Sequence, residues 1–177
     1  GGAGYIGSHV SRTFFKNGID IIVLDNLSTG YAERIPKDIK LINADCCDSR
    51  KLNIILNENN IKGVVHLAAL KQARESIRQP IKYWDSNLLS MLGIIKAIEN
   101  SPVKYFLFSG SCSVYGASGE VKEENYLNPL SPYGKTKVAS ENILSDCSSY
   151  LNLSWLSLRY FNVIGNDELA RFRSQTL

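Results

Sequence analysis

Tyr133 and Lys137 stand four residues apart in Tyr133-Gly134-Lys135-Thr136-Lys137, which on a helix puts a phenol and an ammonium on one face. An ammonium beside a phenol favours the phenolate and lowers a pKa of about 10 in free tyrosine, so the pair reads as a general base for a hydroxyl group. Nine tyrosines and twelve lysines in 177 residues yield such a pair about 0.6 times by chance, so position carries the weight. The pair opens a helical pattern after Ser131-Pro132, and a long loop separates it from the carboxyl end of a strand read at Lys104 to Ser109. Ligands of open α/β sheets bind at such strand ends. From that end runs Ser109-Gly110-Ser111-Cys112-Ser113-Val114-Tyr115-Gly116, where Ser111 is placed to hydrogen-bond a substrate oxygen beside Tyr133. The same serines also suit an ordinary turn.

A second group of residues lies at the start. Gly1-Gly2-Ala3-Gly4-Tyr5-Ile6-Gly7 has glycine at every third position and is succeeded by a helical pattern. Glycine allows close backbone approach, so this loop can aim N–H groups and a helix N-terminus at a pyrophosphate. Spacing alone fits an ordinary turn equally well, and the adjoining segments decide between the two. Asp20 to Asp25 reads as a buried parallel strand ending in a carboxylate. Asp25 lies 18 residues past Gly7, near the spacing at which an acid meets the adenosine ribose hydroxyls of a dinucleotide. A carboxylate there repels the 2′-phosphate of NADP and favours NAD.

Composition narrows the partners. The net charge of +3 comes from 20 basic and 17 acidic residues without a basic block, which argues against nucleic acid. No apolar run reaches the roughly 18 residues of a membrane span, and no signal segment is evident, so a cytoplasmic protein is expected. Cys46, Cys47, Cys112 and Cys147 form no metal-ligand spacing with His9 or His66. They read as reduced structural thiols, the histidines as packing or capping residues, and no metal is expected.

The positioning elements alternate. Helical patterns are read at Ser8 to Asn17, with Val10, Phe14 and Phe15 on one face, and at Asp48 to Asn59, with Leu52, Ile55 and Leu56. Others run from Pro80 to Asn100, with Leu88, Leu92, Ile95 and Ile98 buried, and from Ser131 to Tyr150. Strands are read at Asp20 to Asp25, Lys40 to Asn43, Lys62 to Leu67, Lys104 to Ser109 and Ser154 to Tyr160. This is the pattern of an α/β Rossmann-type, doubly wound parallel sheet in the order 3-2-1-4-5-6. The central first strand and a C-terminal substrate region are expected to lie outside these residues. Residues 1–165 then form an incomplete NAD-binding domain and 166–177 an unpatterned tail, and the 177 residues alone are expected to be unstable and inactive.

In order along the chain, further segments include Leu24-Asp25-Asn26-Leu27, Ala44-Asp45, His66-Leu67-Ala68-Ala69-Leu70-Lys71, Glu75-Ser76 and Leu158-Arg159-Tyr160-Phe161-Asn162. With the glycine loop, Ser113-Val114-Tyr115-Gly116 and Ser131 to Lys137, they make residues 1 to about 165 resemble the extended short-chain dehydrogenase/reductase superfamily. Within it the chain is similar to the NAD-dependent epimerase/dehydratase family. The resemblance implies that Gly1, Gly4, Tyr5, Ile6 and Gly7 hold the pyrophosphate and that Asp25 and Asn26 meet the adenosine ribose. It puts Asp45 and Cys46 at adenine, and Leu67, Ala68, Ala69 and Lys71 along the cofactor. Asn87 is implied near the cofactor, Phe161 near the nicotinamide, and Tyr133 and Lys137 at the nicotinamide ribose as well as in the chemistry. Lys71, Ser111, Tyr133 and Asn162 would contact substrate.

The implied reaction inverts the C4 hydroxyl of a UDP-hexose, UDP-galactose to UDP-glucose, through a transient 4-keto sugar with NAD as hydride acceptor. Tyr133 would take the 4-hydroxyl proton, Lys137 would keep it ionisable and Ser111 would steady the oxygen. A dehydratase of the family usually carries Asp-Glu immediately before Val-Tyr-Gly, where this chain has Cys112-Ser113, and a decarboxylase has Glu where Ser113 stands. Neither side chain replaces a carboxylate near neutral pH. A 4-reductase needs the same Tyr and Lys, but Asp25 speaks against its usual NADP. A non-catalytic nucleotide-binding protein is the reading from another class, opposed by Ser111, Tyr133 and Lys137 occurring together. The resemblance further suggests a homodimer through the Pro80 to Asn100 and Ser131 to Tyr150 helices.

Overall fold

The computed structural model describes residues 1–117 and 119–165. The tail read at 166–177 lies outside the described residues. The chain divides into two compact units, Gly1–Asp45 with the segment from Asn162, and Cys46–Phe161.

The first unit contains α1 (Tyr5–Lys16), β1 (Ile22–Asp25), a 3-10 turn at Ala32–Arg34 and β2 (Lys40–Asn43). Ile22, Val23 and Leu24 suit a half-buried pleated surface, and β1 pairs parallel with β2 from Ile22 opposite Lys40 to Asp25 opposite Asn43. Ala3, Val23, Ile35 and Ile39 form its core, with Ile21, Leu27 and Leu41 against them. Helix α1 starts at Tyr5 rather than Ser8 and ends at Asn17, with Gly18 at φ +71°. Its buried face is not the aromatic stripe expected: Gly7, Ser8 and Ser11 are buried, while Phe15 is exposed. Small side chains there let a helix be approached closely, and Gly7 shows why, as a Cβ on it would sit 2.3 Å from the Gly1 carbonyl oxygen.

The second unit runs α2 (Ser49–Glu58), β3 (Gly63–His66), α3 (Ala73–Arg78), α4 (Pro80–Ile98), β4 (Tyr105–Ser109), a 3-10 turn at Cys112–Tyr115, α5 (Pro132–Leu151) and β5 (Ser154–Leu158). All three strands are parallel, with β4 between β3 and β5. Phe106 and Phe108 of β4 are buried, as a central strand requires. Asp48 caps α2 by accepting from the Lys51 N–H at 3.0 Å. Ser131 caps α5 by accepting from the Gly134 N–H at 3.1 Å, Pro132 occupies the first turn, and Asn152 ends the helix in the left-handed conformation.

Helix α4 packs against both α2 and α5, so its buried surface is wider than one stripe. Ile95 and Ile98 are buried as expected, joined by Met91 and Ile94, whereas Leu92 is exposed. At Gly93 the chain of Cys46 and Cys47 crosses so closely that a Cβ would meet the Cys46 carbonyl oxygen at 2.2 Å. The short helix α3 was not legible in the sequence pattern. The strands keep the parallel neighbours 3-2 and 4-5-6 of the expected order, as a two-stranded and a three-stranded sheet.

Candidate active site

In the second unit, α5 opens with Pro132 and carries Tyr133 and Lys137 one turn apart, both buried. Lys137 Nζ donates to the Ser109 carbonyl at the end of β4 at 2.9 Å and lies 4.7 Å from the Phe108 ring centroid and 5.8 Å from that of Tyr133. Ser111, also buried, begins the 3-10 turn after β4; its Oγ accepts from the Ser113 N–H at 3.2 Å and donates to Ser113 Oγ at 3.1 Å. Tyr160 and Ser109 join through their hydroxyls. The strand end, the turn and the first two turns of α5 thus bring Ser111, Tyr133 and Lys137 together.

The electrostatics correct one expectation. Burial pushes the Tyr133 phenol above its ordinary value, and the Ser111 hydroxyl offsets this in part. Burial also brings the Lys137 ammonium down to about 8, with Glu141 pulling the other way. The lysine does not hold the phenol below its usual range, because its Nζ is aimed at a carbonyl and desolvation of the phenolate dominates. Beside them His66 is stacked on Phe108, and burial together with the Lys137 charge lowers it to about 3, so it packs as a neutral ring. That agrees with its reading as a packing residue.

In the first unit, Gly4 is the N-cap of α1, and no side chain caps the helix and no acid lies in its first turn. Tyr5, Ile6 and Gly7 therefore present first-turn N–H groups outside the helix's own hydrogen-bond ladder, which starts from Ser8 N–H to Gly4 carbonyl at 3.0 Å. Asp25 ends β1 almost fully buried: one carboxylate oxygen accepts from the Ala3 N–H at 2.9 Å and the other from the Leu27 N–H at 2.8 Å. Asp25 thus ties the glycine loop to the strand end. Asn26 and Asp45 are brought together, Asn26 Nδ2 donating to Asp45 Oδ2 at 2.9 Å. The cradle of uncapped N–H groups around Gly4 and Gly7 has the donor chemistry for a pyrophosphate, and the residues present fit a dinucleotide of NAD type.

The profile of one protein family spans residues 1–177 from end to end. The chain belongs to the NAD dependent epimerase/dehydratase family. It is 38% identical over 167 residues to the UDP-glucose 4-epimerase of Lactobacillus helveticus, covering 93% of this chain and 51% of that protein. It is 36% identical over 182 residues to UDP-arabinose 4-epimerase 1 of Arabidopsis thaliana, covering 97% and 43%. Among solved structures, UDP-glucose 4-epimerase from Brucella ovis in complex with NAD superimposes with a TM-score of 0.90 at 32% identity, covering 94% of this chain and 52% of that one. The chain spans about half the length of the relatives it matches.

Of the other positions implied by the likeness to this epimerase/dehydratase family, Leu67, Ala68 and Ala69 come directly after β3 and are half-buried, Lys71 is exposed, and Cys46 packs its carbonyl against Gly93. Phe161 and Asn162 are exposed. Asn87 is buried, and its amide is engaged by protein: Oδ1 accepts from the Leu70 N–H at 2.9 Å, and Nδ2 donates to the Leu70 carbonyl at 3.1 Å and to Thr136 Oγ1 at 3.0 Å. Sequence reasoning passed over Ser76, Tyr83 and Thr136, which surround Tyr133. The Glu75-Ser76 pair and the Ser131 to Lys137 segment, which contains Thr136, were the signals for them.

Proposed function

We propose that these residues are the NAD-binding part of a UDP-sugar 4-epimerase that interconverts UDP-galactose and UDP-glucose. The observation that carries this reading is the buried cluster of Tyr133, Lys137 and Ser111 at the carboxyl end of β4. NAD, when bound, supplies a reversible hydride acceptor for the sugar C4. Gly1, Gly4, Tyr5, Ile6 and Gly7 would hold its pyrophosphate, Asp25 and Asn26 its adenosine ribose, Asp45 and Cys46 its adenine, and Tyr133 and Lys137 its nicotinamide ribose. Leu67 to Lys71 and Phe161 are proposed along the cofactor.

In its phenolate form, which burial disfavours, Tyr133 takes the proton from the sugar 4-hydroxyl as C4 is oxidised to the 4-keto stage. Burial raises the proton affinity of the phenolate, which makes it a stronger base for that step; the phenol so formed returns the proton to the oxygen when C4 is reduced from the opposite face. Ser111 steadies the oxygen at C4 through both steps, and Lys137 fixes the strand end through the Ser109 carbonyl. Lys71 and Asn162 are proposed to contact the sugar nucleotide. Cys112-Ser113, where a dehydratase has its acid pair, leaves no carboxylate to eliminate water. The pentose named for one relative keeps UDP-arabinose as the second substrate to try.

We place the protein in the cytoplasm, supported by Cys46, Cys47, Cys112 and Cys147 not being joined in disulfides. No helix among the described residues is long and apolar enough to cross a membrane. Ile81, Leu89 and Leu92 on α4 and Tyr150 on α5 are exposed, which supports a homodimer through these helices. The deciding experiment incubates the whole protein, of which these residues are proposed to be the NAD-binding part, with NAD and UDP-galactose. Formation of UDP-glucose, abolished by Tyr133→Phe with NAD still bound, is the expected result; a 4-keto-6-deoxy product would mean dehydration instead, and full turnover by Tyr133→Phe would remove Tyr133 as the base.

A further inference from the structure

Both backbone hydrogen-bonding groups of Tyr133 are held by side chains, and by different ones. Its N–H lies in the first turn of α5, where the helix has no carbonyl to offer. It donates instead to Ser76 Oγ at 3.1 Å, and Ser76, fully buried on α3, donates its own proton to the Ala73 carbonyl at 2.6 Å. The Tyr133 carbonyl accepts from Thr136 Oγ1 at 2.7 Å, and that hydroxyl in turn accepts from Asn87 Nδ2 of α4 at 3.0 Å. Thr136 is also fully buried. The ring of Tyr83, itself buried, meets the Tyr133 ring edge-on with centroids 6.5 Å apart. The Tyr83 hydroxyl donates to Glu75 Oε2 at 2.6 Å and accepts from the Gln72 N–H at 3.1 Å, which fixes it to the start of α3.

Ordinary capping of α5 is already supplied by Ser131, so Ser76 is a second hydroxyl on the same turn, directed at the one residue proposed to do chemistry. We propose that Ser76 and the Thr136–Asn87 pair are positioning residues for Tyr133, clamping its backbone on both sides so that the phenol's direction is set jointly by α3, α4 and α5. The proposal rests on Tyr133 being the base. It assigns Asn87 to the clamp, because its amide is spent on Leu70 and Thr136. A phenol free to swing by about 1 Å loses roughly 100-fold in rate even when its substrate binds as before.

The test uses the whole protein of which these residues are proposed to be a part, loaded with NAD, with UDP-galactose as probe. Ser76→Ala and Thr136→Val, both near-isosteric, are expected to lower kcat by about 10- to 100-fold while KM and retained NAD change less than about twofold. Thr136→Ser, which restores the hydroxyl, recovers most of the loss. Carbon-13 labelling of tyrosine at Cζ, with the Tyr133 signal assigned from Tyr133→Phe, gives a readout independent of turnover. Its titration midpoint moves in Ser76→Ala and Thr136→Val and returns in Thr136→Ser. An unmoved midpoint with unchanged kcat overturns the clamp, as does a loss shared equally by KM and NAD retention. Should Tyr133→Phe turn over fully, the base assignment fails, and the Cζ signal still reports whether the two hydroxyls hold the ring.

Discussion

Lys137 carries an electrostatic cost at the proposed catalytic site. Its ammonium is buried with a carbonyl as partner, and its pKa falls from 10.5 to about 8. Below pH 8 the lysine is charged in both folded and unfolded chains, and the whole desolvation cost is borne. Between 8 and 10.5 the folded chain binds fewer protons than the unfolded one, so stability rises with pH across that window. Lys137→Met should therefore stabilise the fold at pH 7 by at most about 3 kcal/mol while abolishing turnover. Denaturant titrations at pH 7 and pH 10 check this, since the gain must shrink at the higher pH. A variant that is less stable at both would show that the Ser109 contact outweighs the buried charge.

At the scale of elements, two close approaches depend on missing side chains. In the first unit a Cβ on Gly7 would overlap the Gly1 carbonyl at 2.3 Å and the Gly2 Cα at 2.6 Å, so the loop must open to admit it. Gly7→Ala is expected to weaken NAD binding at least 10-fold, measured by fluorescence titration, because opening the loop turns the first-turn N–H groups away from the phosphates. In the second unit Gly93→Ala would drive α4 away from the Cys46 backbone, met at 2.2 Å. A loss of about 1–3 kcal/mol in unfolding free energy is expected, and an unchanged denaturation midpoint would mean the helix yields freely. The failed aromatic stripe of α1 belongs here too: Val10, Phe14 and Phe15 obey helical spacing, yet burial tracks the small residues on another face.

At the scale of the whole molecule, His66 is one source of acid sensitivity among the described residues. Its pKa drops from 6.5 to about 3 through burial and the nearby Lys137 charge, so the unfolded chain takes up a proton that the folded chain refuses. Stability is lost as pH falls through 6.5 toward 3. His66→Phe, which keeps the stack on Phe108, should flatten that decline; denaturant midpoints at pH 7 and 4.5 for both proteins measure it. Equal declines would place the acid-labile group elsewhere.

Among the described residues, the strands, the long helices and the grouping of Ser111, Tyr133 and Lys137 could be read from local pattern. Alternating apolar runs point to parallel strands and Ser131-Pro132 to a helix start, whereas the glycine spacing suits a phosphate cradle only together with the helix and strand that follow it. Tyr133 and Lys137 were legible because four-residue spacing on a helix is itself a spatial statement. The direction of their pKa shifts was not, since desolvation depends on everything packed around a group. Nor was α3, too short to show a period, or the hydroxyls of Ser76 and Thr136 on either side of Tyr133. Those contacts join residues up to 57 positions apart, and only the packing of α3, α4 and α5 decides which side chains meet.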